Sequence, residues 1–192
     1  MHCRPFVDGQ EDREGVARLW EIKEDWAQLA TKMRTYGPSS SYPALVLAEH
    51  DGQIFGAIEG CMDADLSENW QLSTEHQASS GIISMLMVDP GCRRQRVGHR
   101  LVAAFAQLAD AHGCSYLGLR ADENDLEDRI IGRRAFFVAV GFEPDPLRDD
   151  LYGSPVSQLL AISSKLRSFS GDGTKWGCSQ VDLLRTTGLN QP

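Results

Sequence analysis

No stretch of this 192-residue chain stays apolar for the length a membrane-spanning helix needs. Its first ten residues carry no apolar signal core either. Cysteine is sparse: Cys3, Cys61, Cys92, Cys114 and Cys178 form no C-x-x-C pair and no metal-like spacing with histidine, which argues against a zinc or other metal site. Such an odd, dispersed set reads as free thiols in a reducing cytoplasm. Positive charge is also short. Lys and Arg number 19 against 27 Asp and Glu, for a formal net charge of -8. Nucleic acids and anionic membranes call for a basic surface, so neither is an expected partner; a cationic partner is. No internal repeat is present, and at 42% hydrophobic and 24% charged the chain has the composition of a domain with a full core.

What is present reads as a mixed α/β (α+β) order. A short strand at residues 4–7 precedes one or two helices over 14–32, with stripes at Val16, Leu19, Trp20, Lys23 and at Trp26, Leu29, Ala30, Met33. Residues 44–49 and 54–62 read as strands joined at Asp51-Gly52, a hairpin signal. A strongly apolar strand follows at 82–88, then a helix over 97–112, a strand at 116–119 and a helix over 129–140. Phe142 begins a strand, and 156–162 reads as a last one. The composition divides the chain into a domain at 1–163 and an appendage at 164–192, a Ser- and Gly-rich linker with a short docking element at 176–184.

The chain's few cations are concentrated where one helix begins. Arg93, Arg94, Arg96 and Arg100 crowd the start of the helix at 97–112, with Gly98 among them. Helix starts already carry unpaired N–H groups and positive dipole, so arginines there are locally unfavourable unless an anion sits among them. A phosphate group bound by residues 89–96 and the following helix start fits that need.

This segment resembles the acyl-CoA motif of the GNAT superfamily of N-acetyltransferases, Gln/Arg-x-x-Gly-x-Gly/Ala. Arg93 takes the first place and Gly98 the last, with Val88, Pro90 and Leu101 at the expected offsets. Phe136-Phe137-Val138-Ala139-Val140-Gly141-Phe142 resembles the family's Phe-Tyr-x-x-x-Gly-Phe signature. The likeness runs over residues 4–163. It implies a mostly antiparallel sheet with flanking helices and one splayed parallel pair, at 82–88 and 116–119. It implies acetyl-CoA as acyl donor, a primary amine as acceptor, and donor binding by Met87, Val88, Arg93, Arg94, Gln95, Arg96, Val97, Gly98, His99, Arg100 and Asn124. The acceptor is a small molecule, cationic by the chain's acidity, or a protein amine; a homodimer is compatible. The alternative is a module that binds acyl-CoA as a sensor with little catalysis.

Three departures stand out. Arg96 replaces the motif's first glycine; Phe137 stands where relatives often carry a tyrosine acid, leaving Tyr116 and Tyr152 as substitutes; Ile130 falls where the family has Asn, with Asn124 six residues earlier. The strand before the loop also lacks the family's frequent Glu. By elimination Glu59 is the candidate base, placed by alternation on a face with Phe55, Ala57 and Cys61 and so partly buried. Asp63, Asp65 and Glu68 read as a solvated loop. Cys92 and His99 read as neighbours of the phosphate loop.

Overall fold

The computed structural model of the chain describes residues 1–66, 79–122 and 126–168. The chain enters as β1 (His2–Pro5), then α1 (Gln10–Glu21), a 3-10 turn at Glu24–Trp26 and α2 (Ala27–Tyr36). The hairpin β2 (Ala44–His50) and β3 (Gln53–Cys61) follows. Next come β4 (Ser80–Val88), α3 (Val97–Ala111), β5 (Tyr116–Arg120), α4 (Glu127–Ala139), β6 (Glu143–Pro144), β7 (Leu151–Pro155) and α5 (Val156–Ser168). The β2–β3 turn is the one expected: Asp51 and Gly52 both take positive φ, 50° and 75°.

Among the described residues seven strands form one sheet, in the order β1-β2-β3-β4-β5-β7-β6. Every pairing is antiparallel except β4 with β5. Helices cover both faces. On one, Val16, Leu19 and Trp20 of α1 and Met33 of α2 pack on Leu45, Leu47, Ile54, Ala57 and Met87. On the other, Val97, Leu101 and Phe105 of α3 and Phe137 of α4 pack on Val46, Ile58, Ile83, Leu117 and Leu119. A partly buried ion cluster ties the first face together at its edge. Arg4 bonds Asp12 through both guanidinium nitrogens, at 2.7 and 2.6 Å, and also reaches Glu49.

Two bulges reorder the sheet's side chains. Ala48 pairs with Gly56 but Glu49 with Ile54, so Phe55 is left over. Ile54 therefore joins Ala57 on the α1 face, and Phe55 joins Ile58 on the α3 face. This corrects the strict alternation read from sequence. Likewise Glu59 pairs with Met85 and Gly60 with Ile83, leaving Ser84 unopposed.

The segment at 156–162 is also corrected. It is the start of α5, not a strand, and β7 ends just before it. Val156 and Leu159 are buried at helical spacing, and a short apolar run does not separate the two readings by itself. The helix continues through Ser168, past the expected linker start at 163; residues 169–192 lie outside those described. Cys3, Cys61 and Cys114 are free thiols. Among the described residues no helix is long and apolar enough to cross a membrane, and no group of His, Cys, Asp and Glu is arranged to hold a metal.

Candidate active site

The parallel pair is short. Ser80, Gly81, Ile82 and Ile83 pair with Tyr116, Leu117, Gly118 and Leu119, and there the pairing stops. The Ser84 bulge sits at that point, and β4 continues to Val88 with a partner only in β3. A bulge bends its strand and ends local pairing. The result is a gap beside the second half of β4. The Asp89 N–H donates to the Phe55 carbonyl at 2.8 Å, toward β3. Alternation then turns the backbone groups of Met87 toward β3 and those of Leu86 and Val88 into the gap. The backbone of Val88 thus faces the gap. Met87 offers the gap its neighbours rather than its own backbone, and its side chain packs against the α1 face. Leu86 was not singled out in the sequence, because the direction of a strand's N–H groups has no compositional signal.

The loop at the mouth of the gap is built from backbone. Asp89 accepts the Gly91 N–H at 2.9 Å and starts a 3-10 turn at Pro90–Cys92. Arg94 and Arg96 then take left-handed φ, 62° and 61°, with Gln95 between them on the ordinary side. Such alternation gathers successive N–H groups into a concave anion nest. Gln95 Nε2 braces the loop on the Gly91 carbonyl at 3.2 Å. Arg96 is the N-cap of α3 and supplies no side-chain cap. The N–H groups of Val97, Gly98 and His99 therefore begin the helix without an intrahelical acceptor. Arg93, Arg94 and Arg96 stand exposed around them.

Other residues of the segment have structural duties. The Arg100 N–H donates to the Arg96 carbonyl at 3.1 Å, and its Nη1 donates to the Met1 carbonyl at 3.0 Å, tying α3 to β1. Gly98 faces the Phe136 ring, where a Cβ would come within 3.0 Å. His99 meets the same ring edge-on at 5.3 Å; burial and then the Arg96 charge hold its pKa below the ordinary histidine value. Asn124 and Glu68 lie outside the described residues.

Glu59 lies one strand over, opposite Met85 and Leu45. It shares the α1 face with Ala57 and is only 4% exposed. Burial pushes its carboxyl up to about 7, opposed by a hydrogen bond from the Ser39 backbone. The Ser84 hydroxyl donates to the Glu59 carbonyl at 3.1 Å, so the bulge and the carboxylate's strand position are coupled. Asp63 and Asp65 are exposed beyond the far end of β3.

The proton donors considered from sequence fare differently. Phe137 is buried against Phe142 and Tyr152, with the Tyr152 ring at 5.7 Å. Tyr116 pairs with Ser80 at the closed end of the parallel pair, away from the gap. Its ring lies on Gly153, and burial, with Glu143 and Asp145 nearby, pushes its hydroxyl up to about 12. Tyr116 is removed as a substitute acid. Tyr152 pairs with Leu119, at the last rung before the gap.

An anion nest at a helix start, reached by a strand whose parallel neighbour has parted from it, is the architecture the sequence motif implied. The acetyltransferase (GNAT) family profile matches residues 9–136. The chain belongs to this family. Its GNAT fold recurs in solved structures at low identity. An aminoglycoside 6'-N-acetyltransferase complexed with coenzyme A is 13% identical, covering 81% of this chain and 97% of that one, with a TM-score of 0.56. The aminoglycoside 6'-N-acetyltransferase from Enterococcus faecium is 14% identical over 81% and 97%, with a TM-score of 0.52. A tyrosine-to-phenylalanine mutant of the AtaT toxin, bound to the C-terminus of the antitoxin AtaR and acetyl-CoA, is 16% identical over 83% and 96%, with a TM-score of 0.57. No curated protein matches the chain. Arg96, at the place of the motif's first glycine, takes a left-handed φ of 61°.

Proposed function

We propose that this GNAT protein transfers an acetyl group from acetyl-CoA to a primary amine of a small cationic acceptor. One observation carries the reading. The gap beside Leu86 and Val88 has an anion nest at its mouth, and one strand over lies a buried carboxylate, Glu59, whose pKa is pushed up to about 7. Arg93, Arg94, Arg96 and the N–H groups of Val97, Gly98 and His99 suit a diphosphate. The backbone of Leu86 and Val88 suits an amide-bearing arm, and their N–H groups suit a polarised carbonyl. Acetyl-CoA, when bound, supplies an activated thioester carbon and a thiolate leaving group.

The chain's own part is to manage a proton. Only a neutral amine is a nucleophile, and most amines are protonated near pH 7. A carboxylate with a pKa near 7 accepts that proton, directly or through a water, better than an ordinary glutamate does. Phe137 supplies no hydroxyl, and a thiolate with an ordinary pKa of about 8.5 leaves without a dedicated acid. The missing hydroxyl is also what a second reading expects, a donor-binding module with little catalysis, in which Phe137 is a buried core residue. Steady-state turnover over a panel of monoamines, diamines, aminoglycosides and lysine peptides separates the two. Acetylation of a small amine above the solution rate supports transfer. Tight donor binding with no turnover on any amine supports the module.

A further inference from the structure

Along β5, Leu117 and Leu119, and Ala121 just beyond it, pack into the α3-side core. Alternation turns Asp122 to the opposite face, the side occupied by Glu59, α1 and α2. Asp122 lies three residues past Leu119, the last β5 residue paired with β4, and so stands at the lip of the gap. The segment joining α1 to α2 reaches this lip. Lys23 Nζ sits 2.5 Å from Asp122 Oδ2 and 4.8 Å from the centre of the Trp26 ring. From α4, Arg133 Nη1 approaches the same oxygen at 3.7 Å. Both Lys23 and Asp122 are partly open to solvent, at 27% and 35% side-chain exposure.

An alkylammonium between a carboxylate and an indole face is what a cationic-amine subsite holds. Here the occupant belongs to the chain. We infer that Asp122 and Trp26 form a subsite for a second ammonium of the acceptor, and that Lys23 fills this subsite until the acceptor displaces it. The inference rests on the proposed amine-acceptor function and deepens it. It selects acceptors with two amino groups: one presented neutral on the Glu59 side, the other held charged at the lip. A half-exposed ion pair is weak enough to exchange with a soluble cation. A bidentate acceptor recovers the loss through its second attachment, whereas a monoamine does not.

The test uses equilibrium binding, so it does not depend on turnover. Calorimetry of the full chain with 1,4-diaminobutane and with n-butylamine is run on wild type, Lys23→Met, Lys23→Arg and Asp122→Asn, each checked for its fold by circular dichroism. Lys23→Met removes the competing cation and should bind the diamine about tenfold more tightly. Lys23→Arg keeps the cation and should stay near wild type. Asp122→Asn should bind the diamine about tenfold more weakly, with butylamine nearly unmoved. The inference is overturned if Lys23→Met binds the diamine no more tightly than wild type, a result that holds whether or not Asp122→Asn folds. It is equally overturned if a folded Asp122→Asn loses diamine and butylamine alike. Absence of acetylation with every amine, alongside the expected binding pattern, would count against the transfer reading and leave the subsite standing.

Discussion

The loop at 89–96 lies at the mouth of the gap and the face around Glu59 lies one strand over, and the chain makes them by opposite means. The loop is local. Its working groups lie within a few residues of one another, and its shape comes from φ angles at Arg94 and Arg96. Its cations stand in water, where they are screened. The Glu59 face is assembled from distant parts: β3, β4, the loop bearing Ser39 and the helices above. Glu59 is buried there, so its protonation is set mainly by desolvation. Affinity for an anion is therefore expected to follow the first region, and the dependence of rate on pH the second.

The sharpest way to break that division is Glu59→Gln. Acyl transfer should fall about 100-fold or more, with donor affinity intact. Wild-type rate should rise through a limb centred near pH 7, and the variant should lack it. A donor affinity that falls with the rate would show that the two regions are not separate. Next is Arg93→Ala. A charge-assisted contact is worth about 1.5–3 kcal/mol, so donor affinity should drop about tenfold or more by calorimetry, while the pH limb stays where it was.

Stability sharpens the same contrast. Glu59 has its folded pKa raised to about 7 from an ordinary 4.5. The protonated form is thus favoured by folding. Its contribution is fully present below the unfolded pKa and is lost as pH rises through about 7. Glu59→Gln should therefore gain roughly 3 kcal/mol on wild type at pH 8 and little near pH 4, measured by urea unfolding. Asp12 runs the other way. Arg4 beside it holds its carboxyl below the usual range, so its contribution is present above the unfolded pKa and fades as pH falls through the folded value.

In the loop, Arg96→Gly should stabilise the fold by about 1 kcal/mol, since glycine takes left-handed φ without a Cβ clash. It should cost less donor affinity than Arg93→Ala. The smallest effect belongs to Phe137→Tyr. Turnover should stay within about threefold of wild type, because a thiolate of ordinary pKa departs unaided. A much larger gain would mean that an acid had been missing.

The two regions also differed in how far the sequence disclosed them. Arginines at a helix start and the residues 88–101 are adjacent in the chain, so their spacing carried the nest, and the Asp51-Gly52 hairpin and α3 followed from equally local signals. Glu59 was picked by elimination. It does lie buried, but on a face shared with Ile54 rather than Phe55, because a bulge leaves no mark in composition. The Ser84 bulge, the gap-facing backbone of Leu86 and the Lys23–Asp122 pair were not legible for a related reason: each depends on partners supplied from elsewhere in the chain. The run at 156–162 was misread because seven mostly apolar residues suit either period.

The bulge at Ser84 has a consequence for how this strand can change over time. Upstream of it Ile83 points to the α3 side; downstream Leu86 does, with Met85 and Met87 pointing the other way. Removing one residue there would exchange the faces of everything up to Val88. Methionines would be driven into the space beneath α3, and Leu86 and Val88 would turn toward the acceptor. Point substitutions leave this parity untouched. A deletion is tolerable only if a second, compensating one falls before the loop. Length at this spot is therefore more tightly held than side-chain identity.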